Sequence, residues 1–204
     1  MLDAIIIQQC APMVNHELML GVISVESSHN PYAIGIVNAY LQRQPQNLAE
    51  AKVTAQYLEQ AGYNYSVGLA QVNRSHFNRF NLTLDNVFDT CANLNAGGQI
   101  LAECLRSAVT QGYQHEATHK ALSCYYSGQL NSKVGAQYAN KVFAKMMLVS
   151  SNTSNNNTRN YIANDKVNST TGVREGALSH YLQAARIDAK PETKSINSDS
   201  AVVF

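Results

Sequence analysis

The stretch NHELMLGVISVESSHNP, residues 15–31, decides how the rest of the chain is read. Leu18, Met19, Val22, Ile23 and Val25 make a broad apolar face at helical spacing, which predicts a helix from about His16 to Ser27. Asn15 is a good N-cap, and Glu17 sits in the first turn, where a carboxylate suits the helix dipole. Asn30-Pro31 stops the helix. Glu26 falls four residues after Val22, three after Ile23 and seven after Met19, on or beside the apolar face and near the C-terminal end. Burial and the dipole both disfavour its charged form there, raising the pKa as a general acid near neutral pH requires. Spacing alone leaves a second reading open, an ordinary helix-end Glu that snorkels to solvent or pairs with a lysine.

Working outward, Asn47-x-x-Glu50 is a capping-box variant announcing a helix that buries Leu48, Ala51, Ala55 and Leu58 and ends at Gly62. Tyr63 to Asn73 reads as a short extended or looped segment. Further helices are predicted over about Ala92–Val109, closed by Gly112, over about Glu116–Cys124, and over about Lys133–Leu148. The last places Val134, Tyr138, Val142 and Met146 on one face. The fold class is mostly α with a minimal β segment, with residues 1–149 as a compact helical domain. From Ser150 the tract SSNTSNNNTRN has no apolar periodicity and reads as a linker. Beyond it there is only a weak helical pattern around Gly176 to Ile187, so residues 150–204 are expected to be a low-complexity linker and a disordered polar tail.

Composition narrows the function. The 204 residues are 45% hydrophobic and 14% charged, enough to bury a core, and the net charge of +1 gives no electrostatic footprint for nucleic acid. No apolar run approaches the roughly 18 residues that a membrane span needs. The start, MLDAIIIQQC, has an acid in place of a basic region and a short apolar run from Ala4 to Ile7, so no export signal is read there. The four cysteines, Cys10, Cys91, Cys104 and Cys124, contain no C-x-x-C pair, which weighs against zinc. They suit two disulfides in an oxidising compartment, with buried thiols as the alternative. Of the three connectivities, Cys10–Cys91 with Cys104–Cys124 is favoured. Cys104 and Cys124 fall on helical segments that a short connection would set antiparallel. His115 and His119 lie one helical turn apart but have no acidic or thiolate partner, so no metal and no cofactor are expected.

Three motifs in order add to the reading of Glu26: Glu26-Ser27 followed by Asn30-Pro31-Tyr32-Ala33, then Gly68-Leu69-Ala70-Gln71-Val72-Asn73, then Tyr125-Tyr126-Ser127-Gly128. Together they resemble the lysozyme-like soluble lytic transglycosylase (SLT) domain. Cys10-Ala11-Pro12 and Phe88-Asp89-Thr90-Cys91-Ala92-Asn93-Leu94 look closest to the branch associated with type IV secretion and conjugation. The resemblance implies a lysozyme-like α+β fold over about Cys10 to Met147. It implies Glu26 as catalytic acid/base, Ser27, Gln71 and Asn73 as substrate-binding residues, and Tyr125 reaching towards the catalytic carboxyl. The chain departs from the pattern at Tyr126, where the family has Asn, and at Ala70, where Met is commoner.

Glycosidases ordinarily use two carboxylates. The nearest other acids, Glu50, Glu59, Asp85 and Asp89, match no catalytic position of the family's motifs, which suits a one-carboxylate transglycosylase giving 1,6-anhydromuramoyl ends. The alternatives are a hydrolysing muramidase of the same fold and a non-catalytic wall-binding module. The implied setting is the periplasm, with peptidoglycan glycan strands as substrate. The protein is expected to be a monomer, with the tail available to components of a secretion system.

Overall fold

The computed structural model describes residues 4–155 and 187–189, with side chains over residues 4–147. Asn15 accepts hydrogen bonds from the Glu17 and Leu18 amides at 2.8 and 3.1 Å and starts the helix His16–Glu26, here α2. Leu18, Met19, Val22 and Ile23 are buried along it. Before it, Ala4–Cys10 forms a short helix, α1, whose apolar run is too brief to announce a helix by periodicity. Leu48–Gln60 forms α3, capped by the Asn47 side chain on the Glu50 amide as the capping-box reading predicts. Ala51, Ala55 and Leu58 are buried as expected, whereas Leu48, in the first turn, is 43% exposed. The three long helices that follow are α4 (Thr90–Thr110), α5 (Ala117–Ser127) and α6 (Lys133–Asn155). α5 runs past Cys124 to carry Tyr125 and Tyr126, and α6 continues into the start of the Asn/Ser/Thr tract.

A small antiparallel sheet completes the fold, as expected of a mostly α protein with little β. Its strands are β1 (Ile34–Ile36), β2 (Ala39–Leu41), β3 (Tyr65–Val67), β4 (Val72–Asn73) and β5 (Ile187–Ala189), in the order β4-β3-β1-β2-β5. β3 and β4 lie within the segment read as extended from Tyr63 to Asn73. The β1–β2 hairpin was not foreseen. Its turn is Val37-Asn38, with Asn38 at φ 59°, a conformation that Asn tolerates better than most residues. The pattern around Gly176 to Ile187 lies outside the described residues except for Ile187, which opens β5.

The core sits where α2 packs between α6 and α1, with α4 and α5 closing it through α1 and α6. Both disulfides pair as favoured from the sequence. Cys10–Cys91 joins the end of α1 to the start of α4, and Cys104–Cys124 joins α4 to α5. Gly97, inside α4, leaves room for a loop, since a Cβ there would stand 2.4 Å from the Ala70 Cβ and 3.1 Å from the Tyr125 hydroxyl. On α2, Gly21 admits α6, because a Cβ would meet Met146 at 2.7 Å and Val142 at 3.0 Å. Among the described residues no helix is long and apolar enough to cross a membrane.

Candidate functional site

Glu26 is the last residue of α2, and the chain turns sharply after it. Ser28 and His29 both adopt left-handed backbone, at φ 50° and 65°, a costly pair for residues with side chains. The turn is fastened locally. The His29 ring nitrogen Nε2 meets the Ser24 hydroxyl at 2.9 Å, and the Asn30 side chain accepts the Tyr32 amide at 2.9 Å. The Asn-Pro part of the first motif thereby delivers Ala33, whose carbonyl accepts the Gly68 amide at 2.8 Å and the Gln71 side-chain amide at 3.0 Å.

The second motif is a buried loop held from three directions. Gly68 at φ 81° and Gln71 at φ 48° close it as a turn. Asn93 of α4 accepts the Ala70 amide at 2.8 Å and donates to the carbonyls of Val67 and Val87 at 2.9 and 3.1 Å. From α5, the fully buried Tyr125 donates its hydroxyl proton to the Ala70 carbonyl at 2.6 Å. Gln71 donates to Ala33 and to the Gly68 carbonyl, and Asn73 donates to Asn64 and Ser66 while capping a short 3-10 turn. The Ser27 hydroxyl bonds back to the Ile23 carbonyl at 3.1 Å. The four residues expected around substrate, Ser27, Gln71, Asn73 and Tyr125, are thus buried and use these groups in bonds within the fold.

Glu26 itself is different. Its Oε1 is sealed from solvent and has no hydrogen-bond partner, and the Tyr138 hydroxyl, from α6, is in the same condition. The two groups face each other without closing a well-formed hydrogen bond. Burial raises the Glu26 pKa to about 7, and the neighbouring Tyr138 hydroxyl pulls it back only in part. Burial followed by the charge of Glu26 raises the pKa of Tyr125, Tyr126 and Tyr138 in turn, so all three phenols stay protonated around the carboxyl. Tyr126 lies with its ring stacked on that of Tyr138, centroids 4.7 Å apart and planes at 11°.

The sequence reading placed Tyr138 on an inward helix face but gave it no role. The signal available was a phenol in a stripe with Val142 and Met146, because a buried hydroxyl has to be accounted for. Most of the other acids whose side chains are described are occupied. Glu50 pairs with Arg43, Glu59 with Arg74 and Tyr65, Asp85 with Lys52, Glu103 with Arg79 and Glu116 with Lys120. Asp89 caps α4, and Glu17 is exposed in the first turn of α2. Arg74 first, against some burial, holds Glu59 below the usual carboxylate range. Glu50 is lowered too, since Arg43 and nearby amides outweigh its burial. His119 meets Asn140 and stacks on Phe143. Among the described residues no group of three His, Cys, Asp or Glu is placed to hold a metal.

A separate pocket of about 490 Å³ is lined by Ile6, His29, Pro31, Leu69, Asp89 and Cys91 among others, but not by Glu26 or its three phenols. It borders the same two loops from the α1 side.

The family model described as "Transglycosylase SLT domain" matches residues 3–170. The chain belongs to that family. It is 44% identical over 147 residues to the "Type IV secretion system protein virB1" of Brucella suis and to the protein of that name in Brucella abortus, with 69% of this chain and 62% of each relative covered. It is 25% identical over 135 residues to "Protein virB1" of Agrobacterium fabrum, covering 66% of this chain and 55% of that protein. The matches therefore span somewhat over half the length of these relatives. No solved structure matches the chain. Within this SLT-domain protein the three motifs are linked to one another: the first carries Glu26 and meets the second through the Ala33 carbonyl, and the third supplies Tyr125, which bonds the second at Ala70, and Tyr126.

Proposed function

We propose that this SLT-domain protein is a peptidoglycan lytic transglycosylase in which Glu26 acts first as acid and then as base. The carrying observation is the Glu26 carboxyl, buried, unpaired at Oε1 and shifted to a pKa of about 7. A carboxyl at that pKa is populated in both forms near neutrality, as a group that must give and then retake one proton requires. Protonated Glu26 donates to the oxygen of the β-1,4 bond between N-acetylmuramic acid and N-acetylglucosamine, and the C1–O bond breaks. The substrate's N-acetyl carbonyl oxygen relieves the positive charge growing at C1. The muramoyl C6 hydroxyl oxygen then attacks C1 while its proton passes to Glu26. The enzyme is restored, no water is consumed, and the product is a 1,6-anhydromuramoyl end. A second carboxylate is unnecessary in this scheme, in keeping with the ion-paired or capping roles of Glu50, Glu59, Asp85 and Asp89.

In this reading Ser27, Gln71, Asn73 and Tyr125 shape the glycan cleft chiefly by holding its wall. The similarity to virB1 relatives supports a role in locally opening the wall for a type IV secretion or conjugation apparatus, and the two disulfides suit the periplasm. Digestion of sacculi with product analysis tests the chemistry. Wild type is expected to leave anhydro ends and Glu26→Gln to lose at least a hundredfold in rate. Reducing ends would make the protein a hydrolase, and undiminished lysis by Glu26→Gln would remove the mechanism.

A further inference from the structure

Tyr126 occupies the place where the family pattern has Asn, and its ring makes a stack for which an amide has no counterpart. Tyr138 is 4% exposed, and its hydroxyl faces Glu26 without a well-formed hydrogen bond, so polar contact alone fixes that side chain only loosely. What meets its ring is Tyr126. A centroid separation of 4.7 Å with planes at 11° is an offset stack, the favourable arrangement for parallel rings. Tyr126 is itself only partly buried, so its ring covers one face of Tyr138 while keeping some contact with solvent. The stack joins the end of α5 to α6 beside the end of α2, where Glu26 sits.

We propose that Tyr126 is a positioning residue for Glu26: its ring clamps Tyr138 against the carboxyl and keeps water from both. This rests on the reading of Glu26 as the acid. An Asn at this position would remove the flat cover, introduce a hydrated amide and let Tyr138 turn away. Water reaching the carboxyl would favour its ionised form.

The surroundings leave few other groups to do this work. Tyr125 and Tyr126 face the carboxyl from α5 and Tyr138 from α6, while Lys133, Lys141 and Lys145 of α6 are exposed. α1 has no ionisable side chain apart from the disulfide-bonded Cys10. On α2, His16 and Glu17 lie at the opposite end, and the nearby His29 is engaged with Ser24.

The test is the titration of the Glu26 carboxyl in the full chain, followed by carbon NMR of labelled glutamate and assigned with Glu26→Gln, alongside the pH profile of sacculus lysis. Tyr126→Asn is expected to move the Glu26 titration down by about one pH unit. Because the protonated fraction above the pKa falls tenfold per unit, lysis should drop about tenfold at pH 8 and little at pH 5.5. Tyr126→Phe keeps the ring and should keep the wild-type titration. If Tyr126→Asn fails to reach the wild-type circular dichroism spectrum, Tyr126→Leu replaces it, with the same downward shift expected. A wild-type titration in the ring-less variant, or an equal shift in Tyr126→Phe, overturns the proposal. So does activity lost equally at all pH values without movement of the carboxyl. The NMR readout does not depend on catalysis, so lysis by Glu26→Gln would refute the function while leaving this clamp to be judged by the titration.

Discussion

Glu26 shows how one residue can be well placed for chemistry and poorly placed for stability. Its pKa is about 7 in the folded chain against an ordinary value of 4.5. Between those values the unfolded chain has released the proton while the folded chain still holds it. Folding stability therefore falls as pH rises through this window, is fully reduced above it and is unaffected below pH 4. The difference corresponds to an upper limit on the order of 3 kcal/mol. Glu26→Gln, which cannot ionise, should be free of this penalty. Thermal unfolding of both proteins at pH 5 and pH 8 is expected to show the variant gaining on wild type at the higher pH. Equal pH dependence in both would mean that the carboxyl is hydrated. At this scale much was legible: spacing put Glu26 at the edge of an apolar face, and the three motifs selected it. The sequence could not show that Ser27, Gln71 and Asn73 would bond to backbone or neighbouring side chains, because those partners come from the turn and sheet that surround them.

At the scale of elements, the site depends on the close approach of α4 to the Gly68–Gln71 loop. α4 carries Gly97 at its contact with the Gly68–Gln71 loop, although a glycine inside a helix costs about 1 kcal/mol relative to alanine. Gly97→Ala should recover that amount in helix propensity and lose more through overpacking, because the new Cβ would lie 2.4 Å from the Ala70 Cβ and near the Tyr125 hydroxyl. A net loss of about 1–2 kcal/mol in chemical denaturation is expected, with reduced lysis as the loop shifts beside Glu26. A neutral or stabilising effect would show that the loop yields freely. The helices themselves were readable from apolar periodicity and caps. The β1–β2 hairpin was not, because IGIVNAYL has little polar alternation and its strands are only three residues long. Its existence depends on pairing with β3, which comes thirty residues later in the chain.

For the whole molecule, the two disulfides tie the frame in which those elements meet. Cys10–Cys91 closes a separation of 81 residues and Cys104–Cys124 one of 20. Chain-entropy arguments give about 4.5 kcal/mol for the longer link and about 3 kcal/mol for the shorter. Replacing Cys10 and Cys91 together by Ser should therefore lower the thermal midpoint more than replacing Cys104 and Cys124. Calorimetry of the two double variants under oxidising conditions checks the order. The reverse order would point to strain or residual unfolded-state structure as the larger influence.

By itself the sequence determined the helical class, the caps, and the carboxylate that the motifs select, and it favoured without deciding the cysteine pairing that the fold adopts. These follow from local periodicity and from residue types whose chemistry is the same wherever the chain places them. Tertiary structure alone decided that Glu26 is unpaired, that Tyr138 faces it, and that Tyr126 covers Tyr138. Those facts join α2, α5 and α6 across more than a hundred residues of chain, and a pKa answers to the water and the dipoles that packing brings or excludes.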